Sequence, residues 1–562
     1  MKIKLLSSML LMLVLLLPAD AMAKRKVFKG KGKIFDYIIV GFGAAGAVLA
    51  RKLSDNFNVS VLVLEAGENN ILNPMTLSPE PFIFDQTLVY DPSFAATYPI
   101  LAPAGGAVIY SEGREWGGGA AHNDLQAVRG VPADYNQWAA DSHNSQWLYV
   151  NMLPLMKALE TYTPNDTIAN PTQRGFSGPI SITQNSPVSS DEFAIAMADV
   201  AGAPIVSDYN DALLPNVSTG AVQQFVTAGD DSRRSFSAFD FTPIGEVMDN
   251  QGRGLNGRKL RVMGNAVVTR VLFEGNRAVG VQYLRNVPGK QSEEINKVYA
   301  CRQIILCAGA INTPKILMLS GIGDRATLED LGIEVIVDNP NVGANLENQY
   351  GAIARLEDIE PMRHVPGGSI LSFINAQPYM PADNVRRMQL IGVDIPEETI
   401  IAGFVLKPKS RGSVTITSKD PLIPAKVSMN MYTDGTFLDV GSDAYVMVSF
   451  FKIVREIAAA ADHVVIYPTP EQYEAGDEAL FAAALNPSSL VITYHNVGTA
   501  RMGTSIENGV VDGNLNVMGV CGLKIADISA QSTIVSGNPC YSAYLMALVA
   551  AKTLGVPTPP IL

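Results

Sequence analysis

Three glycines, Gly41, Gly43 and Gly46, follow the apolar segment 35–40 with the spacing of a dinucleotide-binding turn. In such a turn the first glycine permits a sharp bend, the second lets the backbone approach a pyrophosphate, and the third lets a helix pack on the preceding strand. A second apolar segment, 59–64, ends at Glu65, whose carboxylate can accept hydrogen bonds from a ribose hydroxyl. The order of strand, turn, helix, strand and acid therefore predicts a dinucleotide site. At this point either FAD or NAD fits it.

Further elements are expected to surround this turn. An apolar strand over 303–307 runs into a helix with Pro314 near its first turn, and another strand over 522–526 ends at Asp527. Residues 258–285 alternate apolar and polar side chains around a turn at 274–276. That alternation predicts a small antiparallel meander.

The chain between these elements carries two informative regions. The block GREWGGGAAHNDLQAVRG at 113–130 has three consecutive glycines, which allow the backbone to lie against a flat ring. The long, proline-marked stretch that precedes it, from Glu65 to about residue 112, is expected to wrap or cover a ligand. Alternating segments dominate from about 350 to 485, with a helix over 444–460, which predicts a separate sheet with covering helices.

Composition and charge argue against several classes of protein. The 562 residues are 47% hydrophobic and 17% charged, which is typical of a globular chain of about two to four domains. Without its first 33 residues the chain has 34 basic and 53 acidic side chains, a net charge of −19, so nucleic acid is not an expected partner. Four cysteines are too few for a disulfide framework, and the five histidines show no metal-ligand spacing. No metal site is predicted.

The N-terminus has the features of a secretory leader. Lys2 and Lys4 precede an apolar run over 5–17, and the small residues of 21–23 form a cleavage pattern. Six basic residues follow between 24 and 33, and under the positive-inside tendency they favour a cytoplasmic body, so an uncleaved membrane anchor is the alternative. We expect a signal peptide over 1–23, a basic linker over 24–34 and an exported protein, periplasmic or secreted. Membrane contact is expected only if the leader stays uncleaved.

Three blocks together resemble the glucose-methanol-choline (GMC) oxidoreductases, a family of FAD-dependent enzymes that mostly oxidise alcohols. The first is the block at 113–130, and the second is GAINTPKILMLSGIG at 309–323. The third begins with YHNVGTARMG at 494–503 and continues, in family order, to the sequence SGNP at 536–539. The resemblance spans nearly all of the chain after residue 34 and decides for FAD over NAD.

The resemblance implies an α/β (α+β) fold, in which a Rossmann-like FAD-binding domain is joined to a discontinuous antiparallel-sheet substrate (cap) domain. The FAD-binding domain would comprise residues 35–190, 220–348 and 488–558, and the substrate domain residues 191–219 and 349–487. Backbone groups and glycines are what a planar ring with an acceptor-rich edge requires. The residues implied to bind FAD are Gly41, Gly43, Ala44, Ala45, Gly46, Glu65, Ala66, Trp116, Gly117, Gly118, His122, Asn123, Asp124, Leu125, Val268, Ala308, Tyr494, Asp527, Ile528, Asn538 and Pro539.

Within the third block the resemblance assigns the chemistry to His495 and Asn538. An imidazole can take a hydroxyl proton near neutral pH while hydride leaves the adjacent carbon for the flavin N5. The family has histidine or asparagine at the second position, and an amide can donate to the substrate oxygen as negative charge develops on it. The alternative is that His495 only orders the turn at Gly498-Thr499.

Two positions depart from the common family pattern. Most members that resemble the first block have an apolar residue at the position of His122, whereas the choline-oxidase branch has a histidine that attaches FAD covalently through the flavin 8α-methyl. Two roles are therefore open for His122: the same covalent link, or a neutral imidazole hydrogen-bonded to backbone or pyrophosphate. The second departure is NLENQ at 345–349, where the family often has aspartate-histidine. Family contacts on the cap side do not transfer across it.

Three activities are compatible with the resemblance. The first is a FAD-dependent alcohol oxidase or dehydrogenase that converts a small-molecule alcohol to an aldehyde or ketone and passes electrons to O2, a quinone or a cytochrome. Hydroxynitrile lyases that retain a redox-silent flavin share the fold and a catalytic histidine, and a flavin photoenzyme acting on carboxylates is also known in it. The GTARMG continuation and Asn538 favour alcohol oxidation. The substrate and the oligomeric state are not identified by the sequence.

Overall fold

The computed structural model describes residues 33–79, 91–165, 170–186, 192–285, 295–357, 370–395 and 398–557. The expected signal peptide over 1–23 and all of the basic linker before residue 33 lie outside these ranges. Within them, the strands in chain order are β1 Ile34–Val40, β2 Val61–Leu64, β3 Ala95–Leu101, β4 Ala107–Gly113, β5 Glu160–Thr163, β6 Ile180–Gln184, β7 Ser218–Ala221, β8 Gln223–Gln224, β9 Leu260–Met263, β10 Ala266–Glu274, β11 Arg277–Arg285, β12 Ile295–Leu306, β13 Ile322–Gly323, β14 Val337–Asp338, β15 Tyr350–Glu357, β16 Ile370–Ile374, β17 Met388–Ile395, β18 Glu398–Val405, β19 Ser413–Thr415, β20 Lys426–Ser428, β21 Val465–Tyr467, β22 Leu490–Ile492 and β23 Leu523–Ile525. The α-helices are α1 Ala44–Ser54, α2 Pro74–Leu77, α3 Pro132–Asp141, α4 Tyr149–Leu159, α5 Glu192–Ala201, α6 Ser237–Asp240, α7 Gly309–Leu319, α8 Arg325–Asp330, α9 Asp443–Ala460, α10 Pro470–Ala475, α11 Asp477–Leu485 and α12 Cys540–Thr553.

A central parallel sheet holds the glycine turn. Its strands lie in the order β9-β2-β1-β12, and β23 pairs with the other edge of β12. The second half of β1 and all of β2 are buried and apolar, as expected for parallel strands covered on both faces. Helix α1 packs against α12, and many of the buried residues of both helices are small alanines. This part of the molecule confirms the expected Rossmann-like domain.

The antiparallel meander predicted over 258–285 is only partly correct. Strands β10 and β11 pair antiparallel around Gly275, and β11 then pairs with the first half of β12. Strand β9, however, lies parallel to β2 at the edge of the central sheet. Its alternating burial is that of a strand with one covered face, and this pattern does not depend on the direction of the neighbouring strand.

Helix α7 starts where β12 ends and carries an interior proline. Pro314 is the sixth residue of this eleven-residue helix, later than the first turn predicted for it. Because proline has no N–H, the carbonyl of Ala310 lacks its usual helical donor. That carbonyl accepts a 2.6 Å hydrogen bond from the Thr499 hydroxyl instead, which ties the helix to the segment after residue 494.

A second, antiparallel sheet confirms the separate sheet predicted between 350 and 485. Its strands lie in the order β7-β16-β17-β18-β15, and β21 and β22 both pair with β15. Helix α9 covers one face and buries Phe450 and Phe451 there. Strands β19 and β20 form a small sheet of their own. The architecture is therefore the α/β (α+β) arrangement implied by the resemblance.

Two strands bear on the expected domain division. Strand β7 crosses the expected boundary between residues 219 and 220, and β22 pairs with β15 although its residues were assigned to the FAD-binding domain. The residue-by-residue division stays a prediction. The stretch expected to wrap a ligand contains the hairpin β3–β4, and its residues 80–90 lie outside the described ranges.

The described residues add three findings of a general kind. No helix among them combines the length and the apolarity needed to cross a membrane. They contain no group of His, Cys, Asp and Glu side chains arranged to hold a metal ion. All four cysteines are free thiols.

Candidate active site

The glycine turn between β1 and α1 has a backbone that excludes side chains at two of its three glycines. Gly41 has a φ of +99°, and a Cβ there would lie 2.3 Å from the carbonyl oxygen of Cys307. A Cβ on Gly46 would lie 2.0 Å from the carbonyl oxygen of Gly41. Gly43 is different, because a Cβ there would lie no closer than 3.8 Å to another segment of the described chain. Ala44 and Ala45 then begin α1, so the chain leaves open space beside Gly43 at the N-terminus of a helix.

Glu65 faces the same turn from the end of β2. One carboxylate oxygen accepts a 2.7 Å hydrogen bond from the N–H of Phe42, in the glycine turn, and the other accepts a 2.8 Å bond from the N–H of Gly67, two residues after Glu65. Burial raises the pKa of Glu65, and these two backbone donors oppose the rise. Because a carboxylate has about four acceptor positions, both oxygens retain capacity for ribose hydroxyls.

The second glycine run packs directly on the first. The Gly117 N–H donates to the Phe42 carbonyl over 2.9 Å, and a Cβ on Gly118 would lie 3.0 Å from the Cα of Gly43. The indole of Trp116 is buried and meets the Phe42 ring edge-on, with centroids 5.3 Å apart. The two glycine-rich segments thus form one surface, which the indole of Trp116 supports from the core.

The residues after this run are anchored by buried charged side chains. His122 follows the short 3₁₀ helix Gly118–Ala121, and its Nδ1 lies 3.4 Å from a carboxylate oxygen of the buried Glu115. The Asn123 carbonyl and side-chain oxygen both accept from the guanidinium of Arg234, at 2.6 and 2.7 Å. Asp124 comes next, followed by Leu125, which has a φ of +68°. The loop is therefore held in one conformation beside the glycine surface.

Asp527 joins the ends of β12 and β23. Its Oδ2 accepts from the Gly309 N–H at 3.0 Å and from the Thr313 hydroxyl at 2.6 Å, while its Oδ1 caps the 3₁₀ helix Ile528–Ala530 through the Ser529 N–H. Ala308, the residue before α7, lies next to Gly41. These contacts bring the predicted residues of the two strands to the carboxyl edge of the central sheet, where nucleotides bind in such folds.

Val268 reaches this edge from β10. The N–H of Ala266, two residues earlier on that strand, donates to the Glu65 carbonyl over 2.8 Å. Val268 itself is buried. The structure thus places the segment that carries Val268 near the end of β2, and its contact with FAD stays a prediction.

The imidazole of His495 is oriented by Gln349, a residue that the sequence did not single out as functional. Nδ1 of His495 lies 2.7 Å from Oε1 of Gln349. The Gln349 amide nitrogen faces only acceptors, the carbonyl oxygens of Leu406, Val535 and Gly537, at 2.9, 3.1 and 3.3 Å. Since the amide nitrogen must donate to these carbonyls, Oε1 is the atom that faces the ring, and Nδ1 carries the hydrogen. The other ring nitrogen, Nε2, therefore carries the lone pair and can accept a hydrogen bond.

Asn348 fixes the backbone of the same segment. Its Oδ1 accepts from the His495 N–H over 2.9 Å, and its amide nitrogen donates to the Thr493 carbonyl over 2.7 Å. Both anchors lie in the sequence NLENQ, which the comparison with the family pattern marked as a departure without suggesting a role. Only the pairing of β15 with β22 shows that the segment NLENQ lies beside His495.

Asn538 completes the site. Its Nδ2 lies 3.3 Å from Nε2 of His495, and its buried Oδ1 has no hydrogen-bond partner within the described part of the chain. Pro539 then caps α12. The loop before Asn538 is fixed by Asp134, which accepts from the Ser536 N–H and hydroxyl at 2.7 and 2.9 Å. The structure thus brings the two residues predicted to be catalytic together.

The buried surroundings of His495 and Asn538 determine the protonation state of the imidazole. Burial lowers the pKa of His495 to about 3. The imidazole is therefore neutral at any ordinary working pH. Tyr494, expected to contact the cofactor, packs against the Tyr110 ring with centroids 5.0 Å apart and is 47% exposed, so its contact with FAD stays a prediction.

The family is shown by comparison with known proteins. The model of the N-terminal part of the GMC oxidoreductases matches residues 35–234 and 247–351, and the model of the C-terminal part matches residues 408–547. The chain belongs to the GMC oxidoreductase family. It is accordingly a FAD-dependent oxidoreductase, which confirms the choice of FAD.

Relatives match this GMC oxidoreductase over nearly its whole length. It is 30% identical to an uncharacterized GMC-type oxidoreductase of Mycobacterium tuberculosis, over 92% of this chain and 99% of that protein. It is 28% identical to an oxygen-dependent choline dehydrogenase of Cronobacter sakazakii, over 90% of this chain and 92% of that protein. The crystal structure of pyridoxine 4-oxidase from Mesorbium loti superposes with a TM-score of 0.77 at 23% identity, over 93% of this chain and 99% of that one, which confirms the fold.

The residues present fit FAD. The space beside Gly43 is not filled by side chains of the described residues. Glu65, at the same turn, can still accept further hydrogen bonds. The orphaned Oδ1 of Asn538 marks a polar position at the flavin end, as the family order of the motifs implies. FAD would therefore lie along the carboxyl edge of the central sheet, from the turn at Gly41 towards Asn538.

Proposed function

We propose that this GMC oxidoreductase oxidises the CH–OH group of an alcohol to an aldehyde or ketone. The observation that carries the proposal is the pair formed by His495 and Asn538, in which an unprotonated Nε2 lies 3.3 Å from an amide N–H donor. A base and a hydrogen-bond donor that converge on one point are what removal of a hydroxyl proton requires. FAD, when bound, supplies the acceptor for the hydride.

The chain's own residues handle the proton and the charge on oxygen. The substrate hydroxyl donates to Nε2 of His495, and its oxygen accepts from Nδ2 of Asn538. As the proton moves to Nε2, the Nδ1–H bond to Gln349 strengthens, because the acceptor then faces a cation. Burial disfavours a charged imidazole, so His495 waits in the neutral form that can accept the proton.

Alcohol oxidation is favoured over the two other activities known for this fold. A hydroxynitrile lyase would also use a histidine and would leave the flavin redox-silent, and a photoenzyme would act on a carboxylate. The choline dehydrogenase relative, whose name states an alcohol substrate, matches over 90% of this chain, and both members of the catalytic pair are in place. The same name, oxygen-dependent, favours O2 over a quinone or cytochrome as the electron acceptor.

The test is an anaerobic reduction experiment. The purified holoenzyme is mixed with aliphatic, aromatic, sugar and amino alcohols while the visible absorption band of the flavin is followed. Bleaching by one class supports the proposal, and admission of O2 afterwards tests the acceptor. The matched control is Asn538→Asp, which keeps the side chain's size but removes the donor. It should bind FAD and bleach about 100-fold or more slowly. A flavin that dithionite reduces and no alcohol does would refute alcohol oxidation.

Export of the mature chain is a separate proposal, supported by the leader-like pattern of residues 1–23. Mass spectrometry of the protein purified from its native host tests it. A mature N-terminus close to residue 24 is the expected result. An intact leader in the membrane fraction would show the anchored alternative instead.

A further inference from the structure

Gln349 identifies which face of the antiparallel sheet is turned towards the catalytic pair. Its side chain reaches His495, and it lies immediately before β15. Because residues two apart on a strand point to the same side, Gly351 and Ile353 share this face. We name it the catalytic face of the sheet.

The strand register extends this face across the sheet. Residues directly opposite one another in an antiparallel pair point to the same side. Phe404 lies opposite Gly351, Ala402 opposite Ile353, and Ile391 opposite Ala402. At the other edge of β15, Val491 of β22 lies opposite Gly351. Val491 is four residues before His495. Every one of these side chains is apolar.

Packing shows that the catalytic face is continuous with the catalytic loop. Ile391, Ala402 and Leu406 form one apolar cluster with Val128, and Ile353 and Phe404 pack against it. Val128 in turn lies so close to Gly537 that a Cβ on that glycine would be 2.2 Å from its Cγ1. The apolar surface therefore begins one residue from Asn538.

Exposure distinguishes the part of this surface that a ligand can reach. Leu371 and Leu406 are fully buried and belong to the protein core. Ile353, Phe404 and Val491 are only partly buried. They form an accessible apolar wall beside the catalytic pair. Gln389, opposite Phe404, donates to the side chain of Gln126 over 2.9 Å, so this amide hydrogen bond is made within the protein.

The carboxylates near the catalytic pair are already engaged. Glu347 accepts from the Thr533 hydroxyl and the Ile534 N–H and pairs with Arg411. Asp134 binds Ser536 and pairs with Lys407 over 3.2 Å. An ammonium group placed on Ile353, Phe404 and Val491 would therefore meet methyl groups and one aromatic ring, and Arg355, the next residue on this face of β15, is itself a cation. Burying a charge without a counter-charge or an aromatic cage is costly.

Two further carboxylates, Glu112 and Asp527, lie on the side of the FAD-binding domain. Asp527 is saturated by its four hydrogen bonds to Gly309, Thr313 and Ser529. Burial raises the pKa of Glu112 to about 8, so that carboxyl is mainly neutral at pH 7. Neither provides a free negative charge opposite the wall.

We propose that the substrate is an alcohol with an uncharged, apolar carbon skeleton, aliphatic or aromatic, which lies on Ile353, Phe404 and Val491 while its hydroxyl meets His495 and Asn538. This inference rests on the proposed alcohol oxidation and names the substrate class for that same site. It sets this chain apart from its choline dehydrogenase relative, whose named substrate carries a quaternary ammonium.

Two alcohols of nearly the same shape provide the test. Choline has a charged quaternary nitrogen at the position where 3,3-dimethyl-1-butanol has a neutral quaternary carbon. For the wild-type holoenzyme under anaerobic conditions, the apparent kcat/KM for flavin reduction should be about 100-fold higher with the neutral alcohol. Reduction by benzyl alcohol or 1-hexanol with neither of the pair active would also support the inference.

A matched pair of variants examines the wall itself. Phe404→Glu and Phe404→Gln remove the same ring and differ in charge. Relative to Phe404→Gln, Phe404→Glu should raise the ratio of choline to 3,3-dimethyl-1-butanol turnover by about tenfold or more, since a carboxylate then faces the ammonium. An unchanged ratio would overturn the assignment of the wall.

The remaining outcomes separate the substrate class from alcohol oxidation itself. If choline, another charged alcohol or a sugar reduces the flavin better than every neutral apolar alcohol, the inference about the substrate is wrong and alcohol oxidation stands. If dithionite reduces the flavin and no alcohol of any class does, alcohol oxidation itself is wrong, and the substrate class falls with it.

Discussion

Oε1 of Gln349 accepts the hydrogen on Nδ1 of His495 over 2.7 Å, and this contact sets the tautomer of the catalytic imidazole. The direction of the bond is not arbitrary, because the amide nitrogen of Gln349 is committed to three backbone carbonyls. Leu406 directly follows the cap-side strand β18, and Val535 and Gly537 lie in the loop before Asn538. The orientation of the base thus depends on how the two domains meet.

Replacement of Gln349 by methionine should disable the base while leaving FAD bound. Methionine has similar length but provides no good acceptor for the Nδ1 hydrogen, so the buried imidazole loses about 1–3 kcal/mol of orienting interaction. We expect kcat for flavin reduction to fall about 10- to 100-fold with little change in KM. The measurement is stopped-flow reduction by the best alcohol found.

Gln349→Glu is the informative partner of that variant. It retains an oxygen for Nδ1 and adds a negative charge that favours the imidazolium, so the acid limb of the pH–rate profile should move to higher pH. A purely structural role for Gln349 would lower the rate in both variants without moving the profile. Wild-type rates in Gln349→Met would show that the tautomer does not depend on this residue.

Much of the cofactor site was predictable because its determinants are local. Gly41 is favoured by its own φ of +99°, Gly46 is required by the Gly41 carbonyl in the same turn, and Glu65 ends the next strand. Such requirements leave a spacing that can be recognised in one sequence. The antiparallel sheet was likewise indicated by alternation, since one of its faces packs on α9.

What the sequence did not reveal depends on contacts between distant segments. Gln349 and His495 are 146 positions apart, and only the pairing of β15 with β22 brings them together. The placement of β9 in the parallel sheet was missed for a related reason, since its alternation reports one covered face and not the identity of its neighbour. The apolar wall also arises from the register between three strands, β15, β18 and β22, which no single segment encodes.

Acidification should destabilise the protein through His495. The pKa is about 6.5 in an unfolded chain and is lowered to about 3 by burial. Above pH 6.5 both states are neutral and contribute no difference. Between pH 6.5 and 3 only the unfolded chain binds the proton, so the free energy of unfolding falls as pH falls, by up to about 1.4 kcal/mol per pH unit from this group.

Urea unfolding of the wild type and of His495→Gln at pH 7.5, 6 and 5 checks this expectation. The variant lacks the titrating group, so its free energy of unfolding should fall less steeply with decreasing pH. Equal slopes for the two proteins would mean that His495 titrates normally in the folded state. The neutral form would then not be enforced by burial.

The first glycine turn provides a matched pair of alanine substitutions. Gly43→Ala adds a methyl group that meets no protein atom within 3.8 Å, so the chain should fold, and FAD affinity should drop because the methyl group enters the space kept for the pyrophosphate. Gly46→Ala places its methyl 2.0 Å from the Gly41 carbonyl, so it should lower the thermal stability of the apoprotein itself. Fluorescence titration with FAD and apoprotein melting curves separate the two effects. Unchanged FAD affinity in Gly43→Ala would place the pyrophosphate elsewhere.

His122 gives a prediction with a direct chemical readout. Its imidazole is held against the buried carboxylate of Glu115, beside the glycine surface on which the flavin half of FAD is expected. If His122 carries the covalent link seen in the choline-oxidase branch, acid precipitation should leave the yellow chromophore in the protein pellet. In His122→Ala the flavin should pass into the supernatant.

Glu115→Gln tests whether the carboxylate assists the linkage. Partial release of flavin is the expected result, since the amide occupies the same space as the carboxylate but has no charge. Complete release of flavin from the wild type would exclude the link and leave His122 as a noncovalent neighbour of the cofactor.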